Sequence, residues 1–253
     1  MELNINKIII FILILIINII LNLIDKSYFD INVEINNKNN YLITHNISFN
    51  TQYINSSRDY WEHRYKIGGN SGVGSYNNLA DFKAKVINNF IINKNIKTVI
   101  EWGSGDCNQL ALANYKNYIG YDVSKTAIDI CKKKFNNDKT KTFIFTDKNF
   151  NNNKKADLSI SLDVIYHLVE DNVFSSYMNN LFKSSNRYVC IYSSNVDKGW
   201  AQHVRHRKFS EWIDKYISNN WKLIKFIPNK YPYDPLNTHN TSFSDFYFYE
   251  KMN

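Results

Sequence analysis

Four short apolar runs in the middle of this chain each stop at, or just before, an acid. Thr98-Val99-Ile100 ends on Glu101, and Tyr118-Ile119-Gly120-Tyr121 ends on Asp122. Thr142-Phe143-Ile144-Phe145 is followed by Asp147, and Asp157-Leu158-Ser159-Ile160-Ser161-Leu162 by Asp163. Tyr188-Val189-Cys190-Ile191-Tyr192 is a fifth run of the same kind. Runs of this length, bounded by turn signals, predict strands. The segments between them predict helices over Gln109 to Tyr115 and over Lys125 to Phe135, the latter capped by Ser124. A third helix starts at Glu170-Asp171, with Val173, Tyr177 and Leu181 as its core face. Upstream, Leu79, Phe82, Val86 and Phe90 make the stripe of another helix. Downstream come a loop from Ser193 to Lys208, a helix from Phe209 to Ile217, and strands at Trp221–Ile227 and Phe243–Tyr249. Helices alternating with strands predict an α/β fold around a mostly parallel sheet.

The hydropathy pattern changes before residue 59. Ile8 to Ile24 is apolar apart from Asn18 and Asn22. As a helix it spans about 25 Å, slightly short of the roughly 30 Å hydrocarbon core of a bilayer. Leu23-Ile24-Asp25-Lys26 offers no small-residue cleavage site, so residues 1–26 read as an uncleaved single-pass anchor. Residues 27–58 read as an Asn-rich spacer with little core of its own, and residues 59–253 as the folded domain.

Chain length and aromatic content allow one substantial core: 253 residues carry 18 Tyr and 16 Phe. The formal net charge of +8 hints at an anionic partner. Its lysines are scattered, however, and the bias toward Ile, Asn, Lys, Tyr and Phe has the character of AT-rich coding. Charge therefore carries little weight, and nucleic acid is not the favoured partner. Cys107, Cys131 and Cys190 are odd in number and far apart, with no C-x-x-C pair and no Cys/His spacing for zinc. The expectation is reducing surroundings, no disulfide and no metal.

The chemistry concentrates where the first two strands meet. Glu101-Trp102-Gly103-Ser104-Gly105-Asp106 is a tight turn between strand and helix, and Asp122 ends the next strand. Such a βαβ unit builds a nucleotide-sized crevice at its strand ends. The G-x-G-x-x-G dinucleotide fingerprint is absent, and so is a Tyr-x-x-x-Lys pair, which argues against a nicotinamide oxidoreductase. Gly68 to Tyr76 is glycine-rich but lacks the G-K-[ST] ending of a phosphate loop. Glu101-x-Gly103-x-Gly105 instead resembles the [DE]-x-G-x-G-x-G motif of class I S-adenosylmethionine-dependent methyltransferases, with Cys107 in place of the third glycine. Tyr60-Trp61-Glu62-His63-Arg64-Tyr65 and Gly68-Gly69-Asn70-Ser71-Gly72-Val73-Gly74-Ser75-Tyr76 resemble the N-terminal flap of one subgroup. The run His203-Val204-Arg205-His206-Arg207, followed by Phe209-Ser210 and Trp212-Ile213, resembles the same subgroup.

The resemblance implies a Rossmann-like sandwich of seven strands, mostly parallel, with an antiparallel last strand. It implies S-adenosylmethionine as cofactor. Glu101, Gly103, Ser104 and Gly105 would hold its methionine part, Asp122 its ribose hydroxyls, and Asp147 its adenine amine. Asp163 would lie where cofactor and acceptor meet. Histidine titrates in the range a general base needs, so His167, His206 and the neighbouring Asp163 are the catalytic candidates. His203, Arg205 and Arg207 are candidates for binding the acceptor, since Arg suits a carboxylate or phosphate. The expected activity is O-methylation of a small-molecule or glycan-like acceptor, at a membrane through residues 8–24, with the domain facing the cytosol. A nucleic-acid or protein methyltransferase is the alternative enzyme, although no N/D-P-P-[YFW] motif follows the fourth strand. A non-catalytic cofactor-binding scaffold is the alternative outside enzymes.

Overall fold

A computed structural model describes residues 56–147, 150–201 and 203–252, all within one compact unit, Asn55–Asn253. The expected anchor at residues 8–24 and nearly all of the expected spacer lie outside the described residues. Among the described residues no helix is long and apolar enough to cross a membrane.

Seven strands form the main sheet: β1 Thr98–Trp102, β2 Asn117–Asp122, β3 Lys141–Phe145, β4 Ala156–Leu162, β5 Ser185–Ser193, β8 Trp221–Ile227 and β9 Asp245–Lys251. Their order is β3-β2-β1-β4-β5-β9-β8. The first five run parallel, and β9 is antiparallel to both β5 and β8. The order reverses beside β1, so the crevice between β1 and β4 opens at the carboxyl ends of the strands. Helices α1 Ser57–Lys66, α2 Asn77–Lys94, α3 Lys125–Lys134, α4 Asp171–Lys183 and α5 Phe209–Tyr216 complete the unit.

Two apolar layers hold the sheet. On one face, Ile87, Phe90 and Ile91 of α2 and Ile128 of α3 pack on Val99, Tyr118, Leu158, Cys190 and Phe248. On the other, Phe174, Met178 and Leu181 of α4 and Phe209 and Ile213 of α5 pack on Ile100, Tyr121, Val189, Ile191 and Tyr249. Alternate residues of β5 enter opposite layers, which is why its sequence is a continuous apolar run.

Several expectations change. Gln109 to Tyr115 forms only a 3-10 turn, Gln109–Leu112, because Leu110 is buried while Leu112 is exposed and no apolar stripe exists to sustain a helix. The core face of α4 is Phe174, Met178, Leu181 and Phe182, and Val173 faces outward from it. The sheet selects the larger apolar set. The loop after β5 contains a hairpin, β6 Lys198–Ala201 and β7 Val204–His206. The lead-in read as a loop contains α1, capped by Ser56, whose side chain accepts from Asp59 N. Cys107 and Cys131 are joined in a disulfide with Cα atoms 5.5 Å apart, and Cys190 is buried and free. Spacing along the chain hides this pair because the cysteines sit on two elements that meet only when β2 pairs with β1. The expectation of no disulfide is thereby corrected.

Candidate active site

A cavity of about 1040 Å³ lies at the carboxyl ends of β1 to β4. Glu101, Gly103, Ser104, Gly105, Asp122, Asp147, Asp163 and His167 all line it. Its floor is the turn after β1. Gly103 N and Ser104 N both donate to Tyr121 O, at 2.7 and 3.0 Å, which folds the turn back over β2. Gly103 and Gly105 adopt φ of 85° and 54°, where a side chain is strained. A Cβ at Gly103 would collide with Val164, and one at Gly105 with Ser71 and Tyr65.

Asp122 ties this floor together. It accepts from Gly105 N on one oxygen and from Ser124 N on the other, each at 2.8 Å. Burial pushes its carboxyl up to about 6 against the pull of those backbone donors. Glu101 is also buried, and burial raises it to about 7 although the Tyr118 hydroxyl donates to it at 2.6 Å and Lys83 is near. Ser104 Oγ has no hydrogen-bond partner among the described residues. It is a buried polar atom at the cavity wall that a ligand can satisfy.

The roof is α1 and the glycine-rich loop after it. Arg58 Nη1 donates to Thr146 O at 2.6 Å, beyond the end of β3. Glu62 accepts from Ser124 Oγ at 2.7 Å and Thr126 Oγ1 at 2.9 Å, so it clips α1 to the first turn of α3. Asp106 clips the loop: Ser71 N and the Tyr76 hydroxyl donate to it at 3.0 and 2.7 Å, and Asp106 N donates back to Ser71 Oγ. Burial favours the neutral form of Asp106, but those donors outweigh it and hold the carboxyl below its usual range. Trp61 and Tyr65 face the cavity from this roof. Glu62 and Asp106 were not singled out from the sequence. Their signal is that each belongs to a motif already noted, and only the fold shows that the two motifs touch.

The acceptor end is built around Asp163 and His167. Asp163 has φ 59° and is a junction: Lys83 Nζ at 2.7 Å, Ser244 Oγ at 2.8 Å and the Tyr166 hydroxyl at 3.1 Å all donate to it. Lys83 is fully buried in the middle of α2, a position that periodicity assigns to core. Its charge is matched by Asp163, as a buried ammonium requires. His167 follows on the 3-10 turn Ile165–His167. Its Nδ1 lies 3.1 Å from the carbonyl oxygen of His203. A carbonyl only accepts, so Nδ1 carries the proton and Nε2 carries the lone pair. Burial lowers the imidazole to about 4, and it stays neutral at physiological pH. Trp61 meets the ring edge-on at 4.9 Å, and the His203 ring lies parallel to it at 5.8 Å.

The remaining candidates do not line the cavity. His203 stacks on Tyr60 at 4.4 Å and forms the outer wall behind His167. His206 is buried, with Nδ1 2.6 Å from Ser194 Oγ. Arg205 and Arg207 both bind Asp171 at the start of α4, at 3.0 and 2.6 Å, and Arg207 also donates to Leu168 O and Val169 O. With its guanidinium committed on three sides, Arg207 braces the turn that carries His167. Among the described residues no group of His, Cys, Asp or Glu is arranged to hold a metal ion.

No protein-family profile and no curated protein matches the sequence. Solved structures do match the fold. The methyltransferase domain of bacterial CtHen1-C superposes with a TM-score of 0.54 at 18% identity, covering 68% of this chain and 98% of that one. Magnesium protoporphyrin IX methyltransferase (ChlM) from Synechocystis PCC 6803, with bound SAH, gives 0.54 at 13%, covering 68% and 83%. The N-methyltransferase NodS from Bradyrhizobium japonicum WM9, in complex with S-adenosyl-L-homocysteine, gives 0.54 at 14%, covering 69% and 88%. The chain therefore has the Rossmann-like α/β fold of these methyltransferases.

Proposed function

We propose that this chain is an S-adenosylmethionine-dependent methyltransferase. Within that class we assign it to O-methylation, with a hydroxyl of a small-molecule or glycan-like compound as acceptor. The observation that carries the second step is His167, a neutral imidazole at the cavity wall whose Nδ1 proton is committed to a backbone carbonyl.

The residues present fit the cofactor. Asp122 is a buried carboxylate at the end of β2 with lone pairs to spare, suited to ribose hydroxyls. Glu101 and the Gly103–Gly105 turn suit the methionine part, and Ser104 Oγ offers an unsatisfied hydroxyl beside them. Asp147, beyond the end of β3, suits the adenine amine. The cofactor, when bound, supplies a methyl group activated by its sulfonium. The protein's part is to orient and to dispose of a proton. Helix α1 sets Trp61 and Tyr65 against the cavity, and the floor holds two raised carboxyls that ionise when hydroxyl or ammonium donors arrive. An acceptor oxygen that gains a carbon substituent becomes strongly acidic. A base of pKa about 4 is therefore strong enough to take its proton at Nε2. Asp163, braced by Lys83, fixes the turn on which His167 stands.

Calorimetry with S-adenosylhomocysteine tests the first step. Asp122→Ala removes charged hydrogen bonds of about 1.5–3 kcal/mol and should weaken binding by roughly ten- to a hundredfold. Tight NADH binding by the unmodified protein would sink the reading. A screen of hydroxyl, amine and carboxylate acceptors for S-adenosylhomocysteine formation tests the second step, and turnover of amines alone would remove the O-methyl assignment.

A further inference from the structure

Cys107 stands at the position of the missing third glycine, and the fold uses it to fasten the floor of the site. Its backbone is left-handed, with φ 58°, and its sulfur is bonded to Cys131 on α3. Both residues are 1% exposed or less. Gly105 lies between Asp122 and the disulfide: its N–H donates to Asp122, and its carbonyl oxygen packs 3.1 Å from Cys131 Sγ, which as a disulfide sulfur has no proton to donate. Asp122 in turn accepts from Ser124, the cap of the helix that carries Cys131. Turn, carboxylate, helix cap, helix and disulfide thus close a ring around the groups that face the cavity. Without the disulfide this ring is held by single hydrogen bonds. Gly105, with no side chain to pack, regains the backbone freedom typical of glycine.

We propose that the Cys107–Cys131 disulfide positions the glycine turn for the cofactor, and that cofactor binding and reduction of this disulfide are thermodynamically coupled. The proposal rests on the methyltransferase reading above. Reduction breaks one S–S bond, and a dithiol reductant supplies two electrons and two protons as it closes its own disulfide. The reduced protein keeps its sheet and Asp122 but loses the covalent brace on the turn. Restoring order to one or two residues on binding weakens affinity by about tenfold. Coupling is reciprocal, so the cofactor protects the disulfide by the same factor. A tenfold change corresponds to about 30 mV for a two-electron couple.

The test uses the full chain, with S-adenosylhomocysteine as probe. Calorimetry is run on the oxidised protein, on protein reduced with dithiothreitol, and on Cys131→Ser. Cys190→Ser, at the cysteine outside the disulfide, is the control. The reduced protein and Cys131→Ser should bind about tenfold more weakly, and Cys190→Ser should match the parent. Titration in dithiothreitol redox buffers should then show a midpoint about 30 mV more reducing with saturating S-adenosylhomocysteine than without. Equal affinity in both redox states, with an unmoved midpoint, overturns the proposal even if Cys131→Ser fails to fold. Absence of binding in either state overturns the methyltransferase reading itself, and the coupling with it.

Discussion

At the scale of single residues the site is dominated by two carboxyls held where carboxyls are costly. Glu101 is raised to about 7 and Asp122 to about 6, chiefly by burial. Each is prepared to ionise for a ligand rather than for the fold. Binding should therefore strengthen as pH rises from 5 to 8, falling by up to about tenfold per pH unit below 6 for each carboxyl that must ionise. Titrating S-adenosylhomocysteine affinity across that range checks it, and a flat profile would remove both carboxyls from the site. The same shift has a stability consequence of opposite sense. A folded pKa raised above the unfolded one contributes stability below pH 4.5 that is lost as pH climbs through 7. Glu101→Gln should accordingly raise the melting temperature by several degrees at pH 8, of order 1–3 kcal/mol, and by much less at pH 5. It should bind S-adenosylhomocysteine more weakly at both. His167→Ala should lower turnover by roughly a hundredfold with cofactor affinity nearly unchanged. In the parent, turnover limited by His167 should stay flat with pH until about 4.

At the scale of elements, the roof is what distinguishes this site from an open strand-end crevice. Helix α1 and the loop to Tyr76 contribute little core and are held by side-chain clips at Asp106, Glu62 and Glu170, the last accepting from Ser57 N at 2.8 Å. A segment held this way opens at low cost compared with the sheet beneath it. Asp106→Ala removes the shared partner of three donors: Ser71 N, the Tyr76 hydroxyl and Asn108 N. Hydrogen exchange over residues 56–76 should rise by about tenfold or more while β1, β4 and β5 keep their protection. Dissociation of S-adenosylhomocysteine should speed up in parallel. If exchange is unchanged, Asp106 is not the clip. The acceptor-side turn has the opposite construction. Lys83, buried in α2, holds Asp163 at its start, and the buried Arg207 holds Leu168 and Val169 at its end, so it is expected to be the slowest-exchanging part of the wall.

For the whole molecule, the order of the seven strands places every strand-end acid on one rim. Residues 8–24 remain an expectation from hydropathy alone, and washing membranes with carbonate tests it. Full-length chain should stay in the pellet, and its release would remove the anchor. Oxidised Cys107 and Cys131 are typical of oxidising compartments, so a domain facing the cytosol is expected to show these thiols reduced on acid-trapped alkylation.

The strands, their acids and the parallel sheet were legible because periodicity and burial are local properties: a run such as Tyr188–Tyr192 carries its own environment in its composition. Eight of the candidate residues fall around one cavity for the same reason, since strand-end residues are brought together by any parallel sheet with this order. What local pattern could not contain is which distant groups share a junction. The Cys107–Cys131 bond, the Lys83–Asp163 pair, the Asp106 clip and the binding of Arg205 and Arg207 to Asp171 each join different elements, 24 to 80 residues apart in sequence. A lysine on an apolar stripe, or an arginine in a loop, has one sequence and many possible partners. Desolvation and packing select among them only after the sheet has formed.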